Sequence, residues 1–80
     1  MDIGVAEAKF TEIMREVFNR PDLEYRPDLT AADVEEWDSL SHVDLIVAVE
    51  SVFKIKLSTG EVRGLKNVGQ FVALIAAKAK

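Results

Sequence analysis

The segment EEWDSLSHVDLI, residues 35 to 46, gathers Asp38, Ser39, the chain's only histidine at position 42, and Asp44. A serine nucleophile, a histidine base and an orienting aspartate are the parts of nucleophilic catalysis, and spacings of three and four residues put such side chains on neighbouring helix positions. The same residues also suit a helix start, where a serine or aspartate side chain accepts a hydrogen bond from the first turn and stabilises it by about 1 kcal/mol. The hydrolase reading lacks two parts. Trp37 and Ser41 stand where the glycines of a G-x-S-x-G elbow belong, and nothing in the pattern supplies an oxyanion hole. His42 therefore reads as a surface residue of a helix. A calcium loop beginning at Asp38 fails as well, because Leu40 and Val43 occupy positions that need a ligand and a glycine. Scattered carboxylates and one histidine give no metal site.

The elements that would position these residues follow from periodicity. Ile3, Ala6, Phe10, Ile13, Met14, Val17 and Phe18 recur at helical spacing and predict a first helix over about 3–19, with Asp2 as its cap and Pro21 beyond its end. Residues 20–38 form a loop broken by two prolines, in which RPDL occurs twice, at Arg20–Leu23 and Arg26–Leu29. Each copy reads as a turn that sends a leucine inward. Leu23, Tyr25, Leu29, Val34 and Trp37 anchor a loop that wraps the helices. A second helix over 39–53 carries Leu40, Val43, Leu45, Ile46, Val47, Val49, Val52 and Phe53 over more than half its circumference, so it is expected to be central and covered on several sides. Ser58-Thr59-Gly60-Glu61 has capping-box spacing and opens a short helix over about 59–63, ended by Gly64. A final helix spans 67–78, with Asn67 as cap and Val68, Phe71, Val72, Leu74 and Ile75 as its inward stripe. The fold class is all-α, a small bundle of three main helices and one short one with a long first loop, and no strand is needed.

Composition sets the bounds. Eighty residues fit one domain, 1–80, with a modest core. The 49% hydrophobic and 30% charged residues describe a globular chain rather than a disordered one. A net charge of −4 argues against nucleic acid and favours partners with basic surfaces. Lys54, Lys56, Lys78 and Lys80 make the charge uneven. The absence of cysteine excludes disulfides and any chemistry on the chain's own thiol. No signal-peptide pattern and no membrane-length apolar run occur, so the expected location is the cytoplasm.

The arrangement around Ser39 then becomes specific. Asp38-Ser39-Leu40, preceded by the proline-broken loop and Trp37 and followed by VDLIVAVESVF, the Ile55–Leu57 segment and NVGQFVALI, resembles an acyl carrier protein nearly end to end. The resemblance implies that Ser39 receives 4′-phosphopantetheine from a phosphopantetheinyl transferase (holo-ACP synthase), with Asp38 part of the recognition signal. It implies a non-catalytic, monomeric carrier of acyl thioesters in fatty-acid, lipid or polyketide-type biosynthesis. Its partners would be acyl-loading and acyl-processing enzymes such as ligases, ketosynthases or acyltransferases. The arm would supply the thiol that the chain lacks, and a phosphodiester on Ser39 would sit at a helix N-terminus, which favours negative charge.

Asp38, Leu40, Val43, Asp44 and Glu50 are the expected partner-recognition residues. Ser41 and Ser51 stand where fatty-acid-synthesis carriers commonly have acidic residues, and Trp37 and His42 depart from the housekeeping pattern. The resemblance therefore points to a specialised carrier. The matching acyl-pocket lining is Val43, Val49, Leu57, Val62, Leu65 and Phe71, which would be plain core in the absence of cargo. Phe71 is bulkier than the small residue common at that place, so long cargo is expected to be poorly sequestered. Two alternatives stay open: a peptidyl or aminoacyl carrier, which usually has glycine-histidine before its serine, and an unmodified helical interaction module whose Ser39 only caps a helix.

Overall fold

Asp2 starts the first helix, α1 (Ile3–Val17), by accepting the Val5 N–H at 3.1 Å. In the computed structural model, which describes residues 1–79, α1 buries Ala6, Phe10, Thr11, Ile13 and Met14 along one side. Lys80, the last residue of the expected domain, lies outside the described residues. The helix ends two residues before the expected 19. Phe18 caps it, and Asn19 turns left-handed at φ 54°, a conformation its short amide side chain tolerates. The chain is thereby turned before Pro21 is reached.

The two RPDL copies fold alike. In each, the leucine N–H closes a turn on the arginine carbonyl, at 3.2 Å for Leu23 and 3.1 Å for Leu29, and both leucines are buried. In each, the arginine also pairs with the aspartate two residues on, at 2.9 Å for Arg20–Asp22 and 3.3 Å for Arg26–Asp28. Exposed pairs of this kind contribute little stability singly; here they hold a turn in shape. Arg20 reaches further to Glu36 at 2.8 Å, and Arg15 donates to the Leu23 carbonyl at 2.7 Å. A 3₁₀ turn, Ala31–Asp33, was not expected. Thr30 and Asp33 form a reciprocal cap around it, with the Thr30 N–H donating to Asp33 at 3.0 Å.

The remaining helices are α2 (Ser39–Phe53), α3 (Thr59–Arg63) and α4 (Val68–Lys78), with Asn67 capping α4 through the Gln70 N–H at 2.9 Å. No strand occurs among the described residues. The expectation that the second helix is the covered, central one is corrected: α1 packs against both α2 and α4. Helix α2 buries Leu45, Val49 and Phe53 but leaves Leu40, Val43, Val47 and Val52 exposed. An apolar circumference shows how much surface could be covered, and this short chain has too few elements to cover all of it.

Phe10, Met14, Leu45, Ile75, Val34, Val49, Val68 and Val72 form the fully buried centre. Phe10 meets Phe71 with ring centroids 4.9 Å apart. Two backbone hydrogen bonds fasten the loop to α4, beside the packing of Leu29 and Val34 into the shared core. Val68 donates its N–H to Leu29 at 2.8 Å and Gly69 donates to Pro27 at 2.9 Å, so loop carbonyls satisfy donors that a helix start leaves free. The approach requires glycine, because a Cβ at position 69 would stand 2.8 Å from the Pro27 oxygen.

Candidate functional site

The start of α2 is fastened by Asp38 and Ser41. Asp38 is extended and accepts the Ser41 N–H at 2.9 Å, while its own N–H donates to the Ser41 hydroxyl oxygen at 2.8 Å. The Ser41 hydroxyl in turn donates to the Glu36 carbonyl at 2.8 Å. The Ser41 N–H, before any other group, holds the Asp38 carboxyl below its usual range, so it is ionised at neutral pH. Ser41, which the sequence marked only by what it replaces, an elbow glycine or an acidic residue, is half of the helix cap.

Ser39 is the first residue of α2, is exposed, and takes part in no side-chain hydrogen bond among the described residues. Capping belongs to its neighbours, and its hydroxyl stands free. The surrounding hollow of about 460 Å³ is walled by Ala31, Trp37, Asp38 and His42.

His42 is half-buried rather than a surface residue. Trp37 donates its indole N–H to His42 Nδ1 at 3.1 Å, and the two rings stack at 22° with centroids 6.2 Å apart. Trp37 also meets Phe18, centroid to centroid at 5.2 Å. With Nδ1 accepting from tryptophan, no aspartate can orient the imidazole as a triad requires. Among the described residues Ser39 has no hydrogen bond to His42 either, so the triad parts are neighbours without being assembled.

An apolar groove of about 400 Å³ runs between α2 and α3, lined by His42, Val43, Ile46, Val47, Leu57 and Val62, with Ser58, Thr59 and Arg63 also at its wall. A smaller hollow of about 110 Å³ continues behind His42, where Trp37, Val62, Leu65 and Phe71 meet. Of the expected lining, Val43, Leu57 and Val62 face the groove, and Leu65 and Phe71 face the smaller hollow. Val49 lines neither and is wholly buried in the core. Ile46 and Val47 were missed, although they lie three and four residues beyond Val43 on one helix face.

Among the expected recognition residues, Asp38 and Asp44 are exposed, Leu40 is 80% exposed and Val43 59%. Glu50 is different. It is half-buried, and its carboxylate accepts the Leu57 N–H at 2.9 Å, which ties the segment after α2 back onto that helix. Helix α3 buries no residue of its own. Lys78 braces it from α4, pairing with Glu61 at 2.9 Å and donating to the Lys56 carbonyl at 2.8 Å. Lys78 is the main reason the Glu61 carboxyl lies below its usual range. Among the described residues no three histidine, aspartate or glutamate side chains gather as a metal site requires, and no helix is long and apolar enough to cross a membrane.

No protein-family model matches the chain. Over 65 residues it is 38% identical to the acyl carrier protein of Acidothermus cellulolyticus, covering 81% of this chain and 77% of that one. Over 68 residues it is 34% identical to the meromycolate extension acyl carrier protein of Mycolicibacterium aurum, covering 85% and 70%. Among solved structures it superposes on the solution NMR structure of holo acyl carrier protein from Geobacter metallireducens with a TM-score of 0.87 and 40% identity, over 91% of this chain and 84% of that one.

Proposed function

The chain belongs to the acyl carrier protein family, and we propose that it carries acyl intermediates as thioesters on a 4′-phosphopantetheine arm attached to Ser39. One observation carries the assignment to this residue. Ser39 is an exposed serine at the first position of α2 whose hydroxyl caps nothing, because Asp38 and Ser41 already close the cap. The residues present fit the group: Ser39 lines a hollow that shares His42 as a wall with an apolar groove, and a phosphodiester there meets the positive end of a fifteen-residue helix. When bound, the arm supplies the thiol that a chain without cysteine cannot.

The chain's own residues then position and present. Asp38 holds the helix start and offers an ionised carboxylate to the transferase. Leu40, Val43 and Val47 form an exposed apolar stripe, and Asp44 adds charge beside it, as suits docking on basic, partly apolar enzyme surfaces. Glu50 acts through the Leu57 segment it anchors. Val43, Ile46, Val47, Leu57 and Val62 shelter the first part of a cargo chain from water. Phe71, 2% exposed and packed on Phe10, closes the core behind the smaller hollow, so long chains are poorly sequestered.

In this proposal the carrier is a cytoplasmic monomer, and reaction chemistry takes place in the active sites of loading and processing enzymes such as ligases, ketosynthases or acyltransferases. A serine in place of an acidic residue at 41 and 51 marks a specialised rather than a housekeeping partner set. Intact mass after incubation with coenzyme A and a broad-specificity phosphopantetheinyl transferase tests the attachment. The expected result is a gain of one phosphopantetheine, abolished by Ser39→Ala. No gain would overturn attachment at Ser39 and leave a helical interaction module.

A further inference from the structure

The imidazole of His42 belongs to the walls of three spaces at once: the hollow around Ser39, the α2–α3 groove, and the smaller hollow behind Trp37. Among the described residues it is the one that lines all three, and so stands where the hollow around Ser39 and the two deeper spaces adjoin. Its orientation is held by the stack on Trp37, which is itself backed by Phe18. The tautomer of its neutral form is specified as well. An indole nitrogen can only donate, so the 3.1 Å contact from Trp37 makes Nδ1 an acceptor and leaves the proton of the neutral ring on Nε2.

The groove beyond is walled by Val43, Ile46, Val47, Leu57 and Val62. An N–H donor set in such a wall discriminates. It is satisfied by a chain that brings an acceptor oxygen to it, and a chain without one strips it of water and leaves it unpaired. Sorting by a hydrogen-bonding group is sharper than sorting by chain bulk, because an added methylene changes affinity only modestly.

We infer that His42 is a specificity-determining residue, whose Nε2–H donates to a carbonyl or hydroxyl oxygen of the chain passing from Ser39 into the α2–α3 groove. The inference rests on attachment at Ser39. The oxygen has two sources, the amide carbonyls of the arm or an oxygen of the cargo close to the thioester. The first would make His42 a fixed guide for the arm, and the second a reader of cargo oxidation state.

The test uses histidine-nitrogen NMR of four forms: the unmodified chain, the chain bearing the arm, and that form loaded with a saturated or a β-keto acyl chain of equal length. The expected result is the Nε2–H tautomer in all four forms, with a downfield, exchange-protected Nε2 proton only in those that bring it an acceptor oxygen. Its appearance as soon as the arm is attached assigns the donor to the arm, and its appearance only with the β-keto chain assigns it to the cargo. His42→Phe keeps a ring against Trp37 but removes the donor, and is expected to erase the corresponding carbonyl carbon shift. His42→Gln, which can accept from Trp37 and donate at once, is expected to restore it. Unchanged His42 and Trp37 signals in all four forms would overturn the inference while leaving attachment intact. Failure of the modification itself, seen by mass before any spectrum, would overturn both.

Discussion

Replacing Gly69 with alanine tests how the loop leading to the carrier's serine is fastened. A Cβ at position 69 would lie 2.8 Å from the Pro27 oxygen and 3.0 Å from the Pro27 Cβ. The shorter of these falls about 0.6 Å inside ordinary contact, and the obstacle is a backbone carbonyl rather than the end of a flexible side chain. Relief requires the loop to retreat, which lengthens the Gly69 to Pro27 and Val68 to Leu29 hydrogen bonds. Overpacking of this kind costs about 1–3 kcal/mol and a weakened hydrogen bond up to about 1 kcal/mol. Alanine recovers about 1 kcal/mol of helix propensity, so the net loss lies between about 0 and 3 kcal/mol, with a centre near 1.5 kcal/mol. In a domain of this size each kcal/mol moves Tm by about 4–8 °C.

Gly60 supplies the control. It is likewise the second residue of its helix, with nothing within 4 Å of a built Cβ, so Gly60→Ala is expected to stabilise by up to about 1 kcal/mol. Thermal unfolding followed by circular dichroism compares the two variants, and propensity cancels between them. A Gly69→Ala protein as stable as Gly60→Ala would refute the close approach of loop and α4.

Asp38→Asn keeps an acceptor for the Ser41 N–H and is expected to hold Tm near that of the parent while slowing modification of Ser39, whereas Asp38→Ala should lower both; equal modification rates for all three in a transferase assay would remove Asp38 from recognition. The carboxyls of Asp22, Asp33, Asp38 and Glu61 are all depressed in the folded state, Asp22 to about 2 through its bond from Arg20. Depressed groups stabilise above their unfolded pKa, near 4, and that contribution is lost as pH falls through the folded values. Tm should therefore decline between about pH 4 and pH 2, and a flat Tm across that window would contradict it. Lys54 caps α2 at φ 56°, a left-handed conformation, so Lys54→Gly should gain about 0.5–1 kcal/mol in urea unfolding.

Much of the molecule is legible in local chemistry. The Asp2, Ser58 and Asn67 caps, the two RPDL turns and the start of α2 after Asp38 are each decided within four or five residues, so spacing alone exposes them. The Thr30 and Asp33 cap has the same short range and could have been read from its three-residue spacing. What spacing cannot reveal is which neighbour covers an apolar residue. Val49 and Val47 are equally apolar and two positions apart, yet the first is in the core and the second faces the groove. The Trp37 to His42 bond crosses a helix start, and the Glu50 to Leu57 bond crosses a helix end. Both depend on the course of the chain outside the helix, which periodicity does not describe. Ser39 is conspicuous in the sequence, but its freedom from capping depends on how Asp38 and Ser41 pair across the helix start.

The two hydrogen bonds from α4 to the loop also bear on how the protein comes apart. They join residues about forty positions apart in the chain, and each side completes donors or acceptors that the other leaves open. Asn67 caps the first turn of α4 and short turns shape the loop, so each is formed locally, but the Val68 and Gly69 N–H groups reach the Leu29 and Pro27 carbonyls only when the two dock. The two should therefore open and close as one cooperative unit, with matched hydrogen-exchange protection at Val68 and Gly69. A protease cut near Pro27 would then be felt at the far end of the sequence as fraying of the last helix.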